Sequence, residues 1–294
     1  MKPVARHNPS PLMRGLIALM IGLSAALFGL TSSGRSVEEN LGLDLLFWVR
    51  GEQKPPAEVV IVSIDRSSAV ALDASDEPEH WPRSLHAALI QRLQDAGARL
   101  IIFNVFFGTA QPFEDEIMAE VMREAGNVVL TDYLKRRHYR GGIYVESLAE
   151  PVSTLAEAAL ATAPFLLPQT AKARGFLTRY GDRNTLPVTL LHLYVLHHAF
   201  DELVGFFRSV DSSYAEFFEN RRAELLKSRG VGLFQSEWAR RINERPELIP
   251  AVADRLRSTD IPRSVRGALR LLLKTSEVDR QLYFNHYGPA GTIP

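Results

Sequence analysis

The sequence has 294 residues, enough for one large domain or two small ones, and 46% of them are hydrophobic, which supplies a core. It contains no cysteine, which excludes disulfides, thiolate chemistry and cysteine-ligated metal sites. The 34 basic residues balance the 34 acidic residues, so the charge gives no indication of nucleic-acid binding.

The first feature along the chain is an apolar segment, Gly15 to Gly34, which carries no charge over 20 residues. As a helix it is about 30 Å long, the thickness of a bilayer's hydrocarbon core. Three basic residues precede it (Lys2, Arg6 and Arg14), and the first acid is Glu38. By the positive-inside rule, this predicts a cytoplasmic N-terminus (1–14), a transmembrane helix (15–34) and an extracytoplasmic domain (36–294) at the inner membrane.

Two other interpretations of this segment remain open. The small residues at 24–26 and 31–33 offer cut sites for a cleaved signal peptide, although the apolar run is longer than a usual signal sequence. The segment is also a candidate for a buried core helix, but its apolar residues surround the whole helix and not one stripe. We favour the anchor, which places the following residues in the periplasm.

A membrane-proximal helix is predicted next, from Ser36 to Lys54, ended by the proline pair that follows it. The apolar and β-branched run Glu58–Ile64 predicts a buried strand. A helix then starts at Arg83, with Ser84 as its cap and Gly97 at its end.

The pattern continues with alternating elements: a strand over Arg99–Phe107, a helix over Phe113–Ala125 and a strand over Asn127–Asp132. Strands alternating with helices through short connections imply right-handed crossovers. We therefore expect a parallel sheet with helices on both faces.

The second half reads as helical. Thr154 and Glu157 have the spacing of a capping box, and Leu186–Phe207 predicts a buried helix and not a second membrane span. Residues 211–275 predict helices with breaks near Gly230–Gly232, Pro246 and Pro262. Arg280–Phe284 predicts an edge strand. The fold class is thus α/β: a transmembrane helix, a mostly parallel βαβ core (36–150), a helix-rich part (151–280) and a closing motif (281–294).

Several stretches of the chain resemble the type-2 CHASE domain, a sensory extracellular module associated with cyclases and histidine kinases. They are the membrane-proximal stretch 43–51, the segment 58–67 with VVIVSIDRS, the helix start Trp81–Ala87, the strand IIFNVFF and the final stretch Tyr283–Thr292. The resemblance is weak between about Asp201 and Glu277. It implies a sensor and not an enzyme.

In that family the outer domain is usually followed by several membrane helices and a cytoplasmic cyclase or kinase. This sequence stops at Pro294, just after the closing motif. We therefore expect either the front part of a longer receptor or a sensor that signals through a partner, with a homodimer formed through the membrane-proximal helix. An unknown small ligand or envelope partner and the membrane are the expected partners, and no cofactor is expected.

Candidate ligand-binding residues follow from the predicted sheet, because open α/β sheets bind ligands at the carboxyl ends of their strands. Asp65, Ser67 and Thr109 follow predicted strands, Asn104 lies near the carboxyl end of one, and Trp81, Arg83 and His86 open the first helix at the same edge. A guanidinium, hydroxyls and a ring around a helix N-terminus suit a small anionic or polar ligand. The alternative is a structural role, in which these groups bind loop backbones and pack beneath the loops.

The sequence gives little support for phosphatase catalysis or metal binding. Aspartate-based phosphatases need a second Asp two residues after the first, and Ser67 stands there. His192, His197 and His198 lack a metal-binding spacing, so we expect packing or surface histidines. The basic cluster Lys135–Arg140 is interpreted as a solvated loop, with lipid headgroups as the alternative. A sensor is therefore the favoured function, and an envelope hydrolase of phosphorylated or glycan substrates or a structural envelope protein are the alternatives.

Overall fold

The fold was determined as a computed structural model, which describes residues 11–31, 34, 37, 41–54, 56–139, 143–167, 176–181 and 183–284. The chain divides into two compact units, one up to Val62 and one from Ser63 onward.

The first unit contains helices α1 (Pro11–Gly29) and α2 (Leu43–Arg50). The large apolar side chains described in α1 are all exposed. Among the residues that the structure describes, no helix is both long and apolar enough to cross a bilayer. Helix α2 is shorter than the predicted membrane-proximal helix because Gly51, at φ 69°, ends it by donating to the carbonyls of Phe47 and Trp48.

The predicted strand Glu58–Ile64 is wrong. No residue of this stretch has strand structure, and Val60 and Ile61 are 80% and 85% exposed. A β-branched run becomes a strand only where a neighbouring strand supplies hydrogen bonds. The segment has no strand partner within the described residues.

The sheet of the second unit has three parallel strands: β1 (Ile101–Phe103), β2 (Val128–Tyr139) and β4 (Ala161–Pro164). Strand β2 lies between the other two, with Ile101 opposite Val128 and Val129 opposite Ala161. This confirms the predicted parallel pairing of the strands at 99–107 and 127–132, although β1 covers only three residues of the predicted nine. Strand β4 was not predicted, and the sheet is mixed and not mostly parallel, because a further strand pairs antiparallel with the second half of β2.

Helices α4 (Arg83–Asp95) and α5 (Pro112–Ala125) have the predicted positions. Gly97 and Gly126 end them at φ 81° and 67°, as the sequence indicates. Ser84 was expected to cap α4, but its side chain makes no cap. The Ser84 backbone N–H instead donates to Glu114 of α5, at 3.0 Å.

Both faces of the first half of β2 are buried, as predicted. Val128 and Leu130 lie in a cluster with Ile90, Met118 and Leu155 from the helices of one face, including α6 (Ser153–Ala158). Val129, between them in sequence, packs in the cluster formed with the later helices. Alternate residues of one strand therefore serve two separate cores, as expected for a sheet covered on both faces.

The basic cluster does not form a loop. Its described residues, Lys135 to His138, lie on the second half of β2, which pairs antiparallel with β3 (Ile143–Ala149). Arg136 binds Glu146 across the two strands, at 2.7 Å. This strand pair was missed because the basic side chains on the second half of β2 resemble a loop in composition.

The second half of the chain is helical with two short strands. Its elements are β5 (Arg179–Tyr180), β6 (Arg183–Asn184), α7 (Leu186–His198), α8 (Phe200–Val210), α9 (Ser212–Asn220), α10 (Arg222–Leu225), α11 (Gly230–Glu244), α12 (Leu248–Arg255) and α13 (Arg263–Phe284). The predicted breaks near Gly230, Pro246 and Pro262 are confirmed. The predicted buried helix over 186–207 is two buried helices with a break at Ala199.

Two local predictions in this half are wrong. Helix α6 begins after Val152 with no side-chain cap, so the capping box of Thr154 and Glu157 does not form. The backbone of α13 continues to Phe284, which replaces the predicted edge strand over Arg280–Phe284. The final residues of the closing motif lie outside the described residues.

Candidate functional site

Asp65 and Ser67 lie at the start of helix α3 (Arg66–Ala71), where Asp65 is the N-cap. The Asp65 carboxylate accepts from the Ser67 hydroxyl at 2.7 Å and from the Ser68 backbone N–H at 2.9 Å. These hydrogen bonds lower the pKa of Asp65 to about 2. Both residues are exposed and organise a helix start.

Arg83 lies at the start of α4 and is completely buried. Its Nε donates to the Asp115 carboxylate at 2.9 Å, and its two terminal nitrogens donate to the carbonyls of Glu79 and Thr109, each at 2.9 Å. The guanidinium also lies 4.7 Å from the ring centre of Phe107. Every nitrogen of this guanidinium therefore binds within the chain.

Trp81 and His86 pack beside Arg83. The Trp81 ring nitrogen donates to the Ser75 carbonyl, and its ring stacks on His86 with centres 6.0 Å apart. His86 Nε2 lies 3.0 Å from the Pro78 carbonyl oxygen, and burial lowers the pKa of His86 below its usual range.

The structure thus brings four predicted site residues together: Trp81, Arg83, His86 and the backbone of Thr109. No hydrogen bond or ion pair within the described residues joins Asp65, Ser67 or the exposed Asn104 to this cluster. Because its polar groups bind one another or nearby backbone, the cluster fits the structural alternative better than a ligand site. The ligand role of these residues stays a prediction.

His192 of α7 has a packing role. His192 is completely buried, with Nε2 3.1 Å from the Ala268 carbonyl and Nδ1 2.9 Å from the Gln235 amide nitrogen. Burial lowers the pKa of His192 to about 4. Within the described part of the chain, no group of side chains has the composition of a metal site.

A cavity of about 520 Å³ lies elsewhere in the second unit, a volume typical of small-molecule sites. Strand β4 and the short strand β6 line it, together with helices α6, α7, α11 and α13. Trp238 and Leu272 contribute buried apolar surface. Among the described residues, three arginines line the cavity (Arg179, Arg183 and Arg229), against one carboxylate, Glu150.

Arg183 is held firmly in the cavity wall. Its guanidinium donates to Glu150 at 2.8 Å and to the Thr162 hydroxyl at 3.1 Å, and it lies 3.1 Å from Asp132. Burial raises the pKa of the Asp132 carboxyl above its usual range, and the nearby guanidinium opposes this. Arg183 therefore links β2, β4 and β6.

The N-terminus of α11 forms another part of the wall, through Arg229, Val231 and Gly232. Arg229 is the N-cap with φ 67°, its side chain makes no cap, and the first turn has no acid. No capping or acidic side chain of the first turn therefore compensates the positive end of this helix dipole.

Sequence reasoning missed this cavity. Arg179 and Arg183 are close in sequence, but Arg229 is more than 40 residues further along the chain, and only the packing of β6 and α11 brings it to the same wall. The glycine pair Gly230 and Gly232 was the one available signal, and it was interpreted as a helix break.

A family model described as the CHASE2 domain matches residues 18–279, which is most of the chain. The match includes every stretch that carried the resemblance except the final one, which lies beyond residue 279. No curated protein and no solved structure matches the chain.

Proposed function

We propose that this chain, which belongs to the CHASE2 domain family, is the extracytoplasmic sensory domain of a bacterial signal-transduction receptor. CHASE2 domains are sensory modules of such receptors and are typically extracellular. The family match, which confirms the resemblance of the sequence, is the observation that carries the proposal. The proposal adds that the apolar segment 15–34 anchors the domain to the inner membrane, with the N-terminus in the cytoplasm.

Two observations support the anchor. The segment 15–34 is uncharged and follows the basic residues of the N-terminus. In the part that the structure describes, helix α1 exposes apolar side chains on all sides, including Leu19 and Leu23 at 68% and 57%. An apolar surface of this extent is expected to be covered by lipid or by another apolar partner.

The domain is proposed to act by binding and not by catalysis. A ligand signals only if its affinity differs between two states of the receptor, so the proposed output is a change in the membrane segment on binding. Coupling to a cyclase or kinase and a homodimer formed through α2 belong to the same proposal. The exposed Phe47 and Trp48 on α2 are compatible with such an interface.

The anchor is tested by the variant Leu19→Arg/Leu23→Arg. Each charge at the centre of a membrane helix costs about 2.5–3.5 kcal/mol, so the pair opposes insertion by about 5–7 kcal/mol. We expect the unchanged full chain to stay in the membrane pellet after carbonate extraction, and the double variant to move to the soluble fraction.

The matched control is Phe113→Arg, which adds a charge at a 91% exposed site of α5, outside the segment. It is expected to leave the chain in the pellet. An unchanged chain found soluble in the periplasm without its first 30 or so residues would instead establish the cleaved signal peptide and exclude the anchor.

A further inference from the structure

We propose that the arginine-lined cavity between β4, β6, α11 and α13 binds a small organic anion. The inference rests on the proposed sensory function for its biological role, since it names the class of ligand that the sensor detects. The geometry of the cavity carries it independently of the anchor.

The charge of the wall favours an anion. Arg183 is already paired with Glu150 and Asp132, so the lining carboxylate is compensated within the protein. The exposed side chain of Arg229 makes no hydrogen bond or ion pair with any residue that the structure describes, and it lies directly at the N-terminus of α11. A guanidinium next to uncapped helix N–H groups is a donor set suited to a carboxylate or phosphate.

The rest of the wall favours an organic anion over an inorganic ion, because apolar side chains lie beside the arginines. Trp238 and Leu272 supply an apolar surface for a carbon skeleton.

Gly232 allows a steric test of the cavity. A Cβ built at this position meets no atom within 4 Å, so a large side chain there projects into open space at the wall. Gly205 of α8 is a matched control: it is also helical, also open within 4 Å, and it does not line the cavity. Both substitutions replace a helical glycine, which by itself favours the helix.

The experiment is calorimetric titration of the detergent-purified full chain with citrate, L-malate, L-glutamate and glycerol 3-phosphate, with glycerol as the uncharged control. We expect saturable binding of at least one anion and none of glycerol. Gly232→Phe is expected to abolish binding without lowering the Tm, and Gly205→Phe to leave it unchanged. Arg229→Gln is expected to weaken it about tenfold or more, since hydrogen bonds to charged groups are the strong ones.

The absence of saturable binding by all four anions would overturn the proposal, as would binding that Gly232→Phe leaves intact. Arg257 is exposed, lies just after α12 and does not line the cavity. If Arg257→Gln weakened anion binding as much as Arg229→Gln, the attraction would be nonspecific, which would also overturn the proposal. The binding measurements and the membrane-extraction measurement test different parts of the account. Failed binding with an intact anchor rejects the ligand class alone, and intact binding with a soluble chain rejects the anchor alone.

Discussion

Replacing Arg83 by methionine is expected to lower the free energy of unfolding by about 3–5 kcal/mol. The side chains of Arg83 and Asp115 are 0% and 3% exposed, and their ion pair at 2.9 Å joins α4 to α5. Methionine retains much of the length of the arginine but leaves the carboxylate buried without its cation. It also removes the donors to the carbonyls of Glu79 and Thr109, which fix the loops on either side.

The measurement is urea unfolding of the full chain in detergent, followed by far-ultraviolet circular dichroism. The control is Arg123→Met, which breaks an exposed ion pair with Glu116 on the same helix, α5, and is expected to cost less than about 1 kcal/mol. If the two variants lose similar amounts of stability, the buried pair does not hold these helices together.

Trp238→Ala is expected to destabilise the second unit by about 3–5 kcal/mol, the range for truncating a large buried aromatic side chain. Trp238 of α11 is 2% exposed and stacks on Tyr214, with ring centres 6.0 Å apart. Its ring also lies 6.1 Å from that of Phe207 in α8. The tryptophan therefore fixes α11, and with it the wall of the cavity, against two other helices.

Phe113→Ala is the matched control, because Phe113 is 91% exposed in α5 of the same unit. It is expected to change the unfolding free energy by less than about 0.5 kcal/mol. Unfolding is again followed by circular dichroism, since Trp238→Ala alters tryptophan fluorescence. A loss below about 1 kcal/mol for Trp238→Ala would mean that neighbouring rings close the space, and that the aromatic cluster does not position α11.

Local signals predicted much of the fold. The periodicity of α4 and α5 and the glycines that end them depend on neighbouring residues, so the sequence shows them directly. The strand predicted at Glu58–Ile64 failed because β propensity gives no information about the partner strand. The pair of β2 and β3 was missed for the opposite reason, since the basic side chains of β2 concealed an extended backbone.

The candidate site was harder to predict than the fold. Arg83 looked like a ligand residue at a helix N-terminus, but its partner Asp115 lies 32 residues later in the chain, and only the packing of two helices brings them together. The cavity arginines pose the same difficulty, because Arg183 and Arg229 belong to different elements. Residue types were visible in the sequence, and their long-range pairing was not.

The outward orientation of the sensory domain is tested most directly by cysteine labelling, because the chain has no cysteine of its own. Ser10→Cys lies before the apolar segment, and Glu120→Cys is an exposed position of α5. We expect a membrane-impermeant maleimide added to spheroplasts to label Glu120→Cys, and to label Ser10→Cys only after lysis. Labelling of Ser10→Cys in intact spheroplasts, with Glu120→Cys protected until lysis, would contradict the proposed extracytoplasmic sensor.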